Sequence, residues 1–134
     1  MLILYLALYP LNIDKDAKLK TELYQMLDKI YESLDEKYQK PKNLKIVFCN
    51  DLTRTENKST IYLVIRNRAG ELYDFNTILT ILIHEFTHIL SPEWLIDHHT
   101  EAFKELERKL LKYASDLGYL NLNAIDVNYP CKME

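Results

Sequence analysis

Two histidines four residues apart lie in an otherwise apolar run of this 134-residue chain. His84 and His88 fall within the run from Ile78 to Leu90, and Glu85 directly follows the first histidine. In a helix, residues four apart share one face about one turn apart, so both imidazoles can reach one metal ion. Ionisable side chains are costly in so apolar a helix unless they are partnered. The pattern therefore predicts a helix that carries a metal site.

Glu85 gives that predicted site a chemical role. It projects from the adjoining face of the helix, where it can take a proton from a metal-bound water. A zinc ion held by His84 and His88 would lower the pKa of its water towards neutrality, and Glu85 would then deliver the proton to a leaving amine. The HExxH pattern thus predicts a zinc-dependent hydrolase with Glu85 as the general base.

Catalytic zinc normally takes three protein ligands and keeps one position for water, so a third ligand must follow the helix. The metzincin pattern requires Gly and His at positions that Ser91 and Trp94 occupy here, which excludes that class. The candidates downstream are Asp97, His98, His99, Glu101, Glu105 and Glu107. We favour His99, because it lies one turn before Phe103, an aromatic expected to anchor the next helix. His98 is the alternative.

Hydrophobic spacing predicts the elements of the N-terminal half. Leu2–Leu8 is expected to form a buried strand that Pro10 ends, and Asp14–Tyr38 has the spacing of an amphipathic helix. Leu44–Cys49 and Thr60–Asn67 are β-rich runs that predict two strands.

The C-terminal half is predicted to be mainly helical. Asn50–Ser59 is interpreted as a polar loop and Leu72–Phe75 as a short returning strand, with Asn76 as the N-cap of the HExxH helix. Thr100–Leu117 predicts a second long helix, with Gly118 after its end. The apolar residues expected on its inner side are Phe103, Leu106, Leu110, Leu111, Ala114 and Leu117.

Bulk properties favour one soluble domain over residues 1–134. About half of the chain is apolar, and its formal net charge of -3 provides no electrostatic footprint for nucleic acid or for an anionic membrane. Cys49 and Cys131 stand at unrelated spacings and are expected to be reduced thiols. Met1–Tyr9 is too short to span a bilayer and lacks the features of a signal peptide. We therefore expect an intracellular protein, cytoplasmic or nuclear.

Beyond HExxH, the sequence resembles the small zinc peptidases of the SprT/WLM type, especially the single-domain versions of large DNA viruses. The resemblance covers roughly Asn76 to Cys131. The matching elements are His84–His88, Pro92–Trp94, His99 with Phe103, Ile125–Val127 and Tyr129–Cys131. The family usually has Gly directly before its third histidine, whereas this chain has Asp97-His98.

The resemblance implies an α+β, zincin-like fold: an N-terminal helix, a small mixed β-sheet, the HExxH helix and a C-terminal helix. It implies zinc as cofactor and hydrolysis of peptide bonds in protein substrates, with His84, His88 and His99 as ligands. SprT/WLM relatives act on proteins crosslinked to DNA. Contact with DNA is not indicated by charge here, because the candidate basic patch is small. It consists of Arg54, Lys58, Arg66 and Arg68.

Several roles stay open from the sequence. A peptide substrate can add as a strand along Thr60–Asn67, contacting Tyr62 and Val64, if that segment is the edge of the sheet; the alternative is an interior strand. Tyr119 and Tyr129 are candidate oxyanion stabilisers. The Cys131 thiolate is either a regulatory fourth zinc ligand or an ordinary tail cysteine.

Two other functions compete with the endopeptidase. One is a non-catalytic, zinc-bearing regulatory module, which would leave Glu85 unexplained. The other is a zinc-dependent nuclease, which Glu85 and the ten-residue step from His88 to His98 disfavour. The sequence does not indicate an oligomeric state.

Overall fold

The computed structural model describes the chain at residues 2–34, 38–91 and 100–124, with side chains described from residue 16 onward. In these ranges it is an α+β protein with three helices and a three-stranded mixed sheet. The elements in chain order are α1 (Leu2–Glu32), β1 (Lys45–Cys49), β2 (Arg54–Glu56), β3 (Thr60–Val64), α2 (Phe75–Leu90), α3 (Glu101–Asp116) and a 3₁₀ turn (Leu122–Ala124). The α+β class, with the HExxH motif on one helix and a further helix after it, is therefore confirmed.

The N-terminal segment is helical, so the strand predicted for Leu2–Leu8 is wrong. α1 begins at Leu2, includes Pro10 and ends at Glu32, earlier than the predicted end at Tyr38. A short apolar run without alternation does not distinguish a buried strand from a helix. Leucine and alanine favour helix, and adding them to an existing helix avoids the cost of nucleation. No helix in the described part of the chain is long and apolar enough to cross a membrane.

One hydrophobic core joins the three helices to the sheet. α1 contributes Leu23, Leu27 and Ile30, all fully buried, and α2 is buried along most of its length. Each fully buried Leu or Ile stabilises the fold by roughly 1.5–3 kcal/mol relative to an exposed one. This core buries most of α2, the helix that carries the predicted metal site.

The sheet has the order β1-β3-β2, with β1 parallel and β2 antiparallel to β3. β3 is therefore the central strand, so of the two alternatives left open for Thr60–Asn67 the structure has the interior strand. The outer side of β1 meets α1, where the Tyr24 hydroxyl accepts a hydrogen bond from the Ile46 backbone N–H at 2.7 Å. The edge that lies beside α2 is β2.

β2 lies in the segment predicted to be a loop, because a short polar edge strand has no apolar pattern to reveal it. We call Arg54–Val64 the β2–β3 hairpin. Its turn holds Asn57 and Lys58 at φ 56° and 51°, and the Ser59 backbone N–H donates to the Glu56 carbonyl. Positive φ at both central residues is typical of type I′ hairpin turns.

The returning strand predicted at Leu72–Phe75 is only a single β-bridge between Arg66 and Leu72, because α2 already begins at Phe75. The N-cap of α2 is Asp74, whose Oδ1 accepts from the Thr77 backbone N–H, so the prediction of Asn76 as the cap is wrong. The Asn76 side chain instead makes two hydrogen bonds to the backbone of Asn121.

α3 agrees closely with its prediction. Thr100 caps its start, and Gly118 follows its end at φ 83°. The Gly118 and Tyr119 N–H groups donate to Ser115 and Ala114 carbonyls, which is a Schellman motif. The predicted inner residues are buried or partly buried, except Leu117, which is 41% exposed because it lies at the C-cap.

Candidate metal centre

α2 brings His84, Glu85 and His88 together, and we call these three residues the α2 cluster. Their potential ligand atoms all lie within 4.8 Å of one another. His84 and Glu85 are only 6% and 4% exposed, while His88 is half-buried. With Zn–N bonds of about 2.0–2.1 Å, a group of ligand atoms within this limit is compact enough to approach the geometry of a metal site. Two imidazoles and a carboxylate are donors that could hold a metal ion.

Glu107 of α3 contacts His84. The Glu107 Oε2 atom lies 2.5 Å from His84 Nδ1, and the Glu107 side chain is 22% exposed. The sequence named Glu107 only as one of several candidate third ligands. Glu107 does not belong to the α2 cluster, whose ligand atoms all lie within 4.8 Å of one another. In the described residues its carboxylate instead contacts the ring of His84.

Phe103 of α3 packs against both imidazoles of the α2 cluster. Its ring centroid lies 5.2 Å from that of His84, in an edge-on arrangement, and 4.5 Å from that of His88. Phe103 is almost fully buried, and it stands four residues before Glu107. One face of α3 therefore supplies both an aromatic ring and a carboxylate to the two histidines of α2.

Thr55 of β2 contacts Glu85, so the sheet, as well as α3, reaches the α2 cluster. Its hydroxyl lies 2.9 Å from Glu85 Oε1 and 3.2 Å from the Glu85 backbone carbonyl oxygen. Thr55 pairs with the buried Ile61 of β3, which places both on the sheet face that packs against α2. Sequence reasoning missed Thr55, because a threonine between charged residues carries no signal of a buried partner.

Tyr62 and Val64 lie on the other face of the sheet. They alternate along β3 with the buried Ile61 and Leu63, and side chains alternate between faces in a strand. Arg54 covers Tyr62, with its guanidinium carbon 4.1 Å from the ring centroid. The structure therefore does not bring the two predicted substrate-binding residues to the α2 cluster.

Lys58 joins the hairpin turn to the end of α2. Its Nζ donates a hydrogen bond to the carbonyl of Ser91, the C-cap residue of α2. Burial lowers the pKa of Lys58 below its usual value. A cation is favourable at the negative end of a helix dipole. The hairpin is thus attached to α2 at two points, through Thr55 and through Lys58.

Most side chains of the predicted basic patch form ion pairs or hydrogen bonds within the protein. Arg54 pairs with Asp51 and Glu56, and the Glu56 carboxylate is the main cause that raises the pKa of Arg54. Arg66 pairs with Asp16 of α1 at 2.8 Å. With Lys58 bonded to Ser91, three of the four predicted residues have structural partners.

The other candidate ligands on α3 face solvent. Glu101 pairs with Lys104 and Glu105 with Arg108, both on the same helix.

Among the remaining predicted residues, Tyr119 is partly buried against the core. Four predicted residues lie outside the described ranges, namely Asp97, His98, His99 and Tyr129. Cys131 lies outside them as well, and Cys49 is a half-buried free thiol whose pKa is raised mainly by burial.

Comparisons with known proteins reveal viral relatives. The chain is 37% identical over 78 residues to an uncharacterized protein of Invertebrate iridescent virus 3, a match that covers 58% of this chain and 46% of the relative. It is 34% identical over 67 residues to an uncharacterized protein of Invertebrate iridescent virus 6, covering 48% and 36%. A third, from Acanthamoeba polyphaga mimivirus, is 36% identical over 59 residues, covering 43% and 28%.

The match spans less than half the length of each of these relatives. All three are viral proteins, as the sequence resemblance led us to expect. No family model matches the chain, and no solved structure matches it.

Proposed function

We propose that the protein is a zinc-dependent endopeptidase. The observation that carries the proposal is the α2 cluster: two imidazoles and a carboxylate, close together on a buried helix, with the carboxylate contacted by a hydroxyl from a neighbouring strand. An apolar helix that served only the core would gain nothing from three ionisable side chains, whose burial costs free energy unless they are partnered.

In this proposal His84 and His88 hold zinc, and the third ligand comes from His99, with His98 as the alternative. Zinc, when bound, lowers the pKa of a coordinated water and polarises a carbonyl. Glu85 accepts the proton of that water and delivers it to the leaving amine.

Thr55 supports the role of Glu85 as a base. The hydroxyl donates to Oε1, and a carboxylate can accept several hydrogen bonds at its two oxygens. The contact therefore orients the carboxylate and still allows it to accept a proton. Because Thr55 is itself paired with Ile61 in the sheet, its contact holds the Glu85 carboxylate beside His84 and His88.

The extended substrate lies along β2 rather than β3. β2 is a sheet edge, it is antiparallel to β3, and its Thr55 contacts Glu85. Edge strands present unpaired backbone groups to which a peptide can add as a further strand. An interior strand such as β3 already has partners on both sides. The SprT/WLM resemblance extends the substrate class to proteins crosslinked to DNA.

The central test is Glu85→Gln with zinc content and cleavage measured on the same preparations. Fluorescein-labelled casein, free or crosslinked to a DNA oligonucleotide, serves as the substrate. We expect Glu85→Gln to keep zinc and to lose cleavage by about 100-fold or more, because a general base contributes about 10²–10⁴-fold. Glu105→Gln, an exposed glutamate on α3, is the matched control and should cleave like the wild type.

Cleavage by Glu85→Gln at the wild-type rate would refute the mechanism. Zinc binding by a wild-type protein that cleaves neither substrate would instead support the non-catalytic zinc module. Cleavage of RNA but not of casein would support the nuclease.

A further inference from the structure

We infer that Glu107 is a positioning residue that orients the His84 ring so that Nε2 is the atom offered to the metal. The inference deepens the proposed function, since it rests on His84 being a zinc ligand. It concerns the geometry of the ligand in the zinc-free protein, and it does not depend on which bond the enzyme cleaves.

The geometry of the contact determines the tautomer of His84. Glu107 Oε2 lies 2.5 Å from His84 Nδ1, which is hydrogen-bond distance. An ionised carboxylate can only accept, so Nδ1 is the donor and carries the hydrogen. In the neutral ring the lone pair is then on Nε2, and a metal ligand needs that lone pair. The contact therefore selects the tautomer that binds metal through Nε2.

Phe103 restricts the same ring from a second direction. Its ring lies edge-on to His84, with centroids 5.2 Å apart and an interplanar angle of 70°. Rotation of the imidazole about its χ2 angle would break the hydrogen bond to Glu107 and change this packing. The two contacts, from residues four apart on α3, hold the ring plane before zinc arrives.

A purely structural ion pair is the simpler alternative, and the neighbouring glutamates of α3 argue against it. Glu101 and Glu105 face solvent and pair with Lys104 and Arg108 on their own helix. Glu107 instead reaches an imidazole of α2 that is 6% exposed. α3 does not need this pair for docking, because its apolar face is already buried. The residues that bury it are Phe103, Leu106, Leu110 and Ala114.

The first measurement is zinc affinity, by competition with a chromogenic chelator. Outer partners of metal-bound histidines typically contribute about 10–100-fold to metal affinity. We expect Glu107→Ala to weaken zinc binding by about that factor. Glu107→Gln should lie between Glu107→Ala and the wild type, because its amide oxygen still accepts from Nδ1 but lacks the charge. Glu105→Gln should bind zinc like the wild type, and thermal unfolding establishes that all variants are folded.

The second measurement is the tautomer of His84 in the zinc-free protein, by nitrogen NMR at a pH where imidazole is neutral. We expect the hydrogen on Nδ1 in the wild type and in Glu107→Gln, and a mixture of tautomers in Glu107→Ala. A change in the unfolding temperature of Glu107→Ala with unchanged tautomer and unchanged zinc affinity would show that the pair is merely structural.

Equal zinc affinity of Glu107→Ala and the wild type would overturn the inference, as would a wild-type ring with its hydrogen on Nε2. Failure of the proposed function looks different. A wild type that binds zinc with the expected dependence on Glu107, yet cleaves no peptide, would sink the peptidase and leave the positioning role intact.

Discussion

At the α2 cluster, α3 presents an aromatic ring and a carboxylate to the imidazoles, whereas β2 presents a hydroxyl to the glutamate. The α3 side is built from a long helix whose inner face is buried in the core. The β2 side is a three-residue strand of the β2–β3 hairpin, which Thr55 and Lys58 attach to α2. Under the proposed function this is a division between α3, which would orient the metal ligands, and β2, which would orient the base.

This division separates two measurable quantities. Changes on the α3 side are expected to alter zinc affinity, whereas changes on the β2 side are expected to alter turnover with zinc retained. Changes to the ligands themselves should exceed both. The following predictions are ordered from the largest expected effect to the smallest.

Loss of a zinc ligand should have the largest effect. His88→Ala should weaken zinc binding by more than the roughly 10–100-fold expected for an outer partner, because it removes a metal bond. His99→Ala should match it if His99 is the third ligand, and His98→Ala should then bind zinc like the wild type. Equilibrium dialysis against buffered zinc measures all three, and the reverse order of His98 and His99 would show that His98 is the ligand.

Thr55→Val should lower kcat by about tenfold without changing zinc affinity. The substitution keeps the branched shape but removes the donor to Glu85 Oε1, and a hydrogen bond to a charged group contributes about 1.5–3 kcal/mol. Loss of the lower end of this range from the stabilisation of the transition state lowers kcat about tenfold, since each 1.36 kcal/mol in the barrier corresponds to about a factor of ten in rate.

Thr55→Ser is the control for that prediction, because it restores the hydroxyl and should restore kcat. Parallel loss of zinc affinity in Thr55→Val would contradict the division between the two sides. It would show that the hairpin also shapes the metal ligands.

Lys58→Met should have the smallest effect. It removes the hydrogen bond to the Ser91 carbonyl while keeping an apolar stem of similar length, so the free energy of unfolding should fall by about 0.5–1.5 kcal/mol. Urea denaturation measures this change, and zinc affinity should be that of the wild type. Lys42→Met, at an exposed position, is the matched control and should leave stability unchanged. A large loss of zinc from Lys58→Met would mean that the end of α2 depends on this attachment.

Local patterns in the sequence were sufficient for the helices that carry the site. The spacing of His84 and His88 places both on one face of α2, and the apolar spacing of α3 correctly predicts Phe103 on its inner side. Helical periodicity is a property of neighbouring residues, so it can be seen in the sequence before any packing is known. The same reasoning was wrong for Leu2–Leu8, because an apolar run shorter than two or three turns has no distinguishing period.

The sequence by itself determined that α2 carries two imidazoles and a carboxylate on neighbouring faces of an apolar helix. Only the tertiary structure decided which side chains meet them. Among the glutamates of α3, Glu107 alone contacts the α2 cluster in the described part of the chain, and Thr55 reaches Glu85 from a segment with no strand pattern. The physical reason is the distance in sequence. His84 and Glu107 are 23 residues apart, and Thr55 and Glu85 are 30 residues apart. Such contacts follow from how the helices and the sheet pack rather than from local spacing.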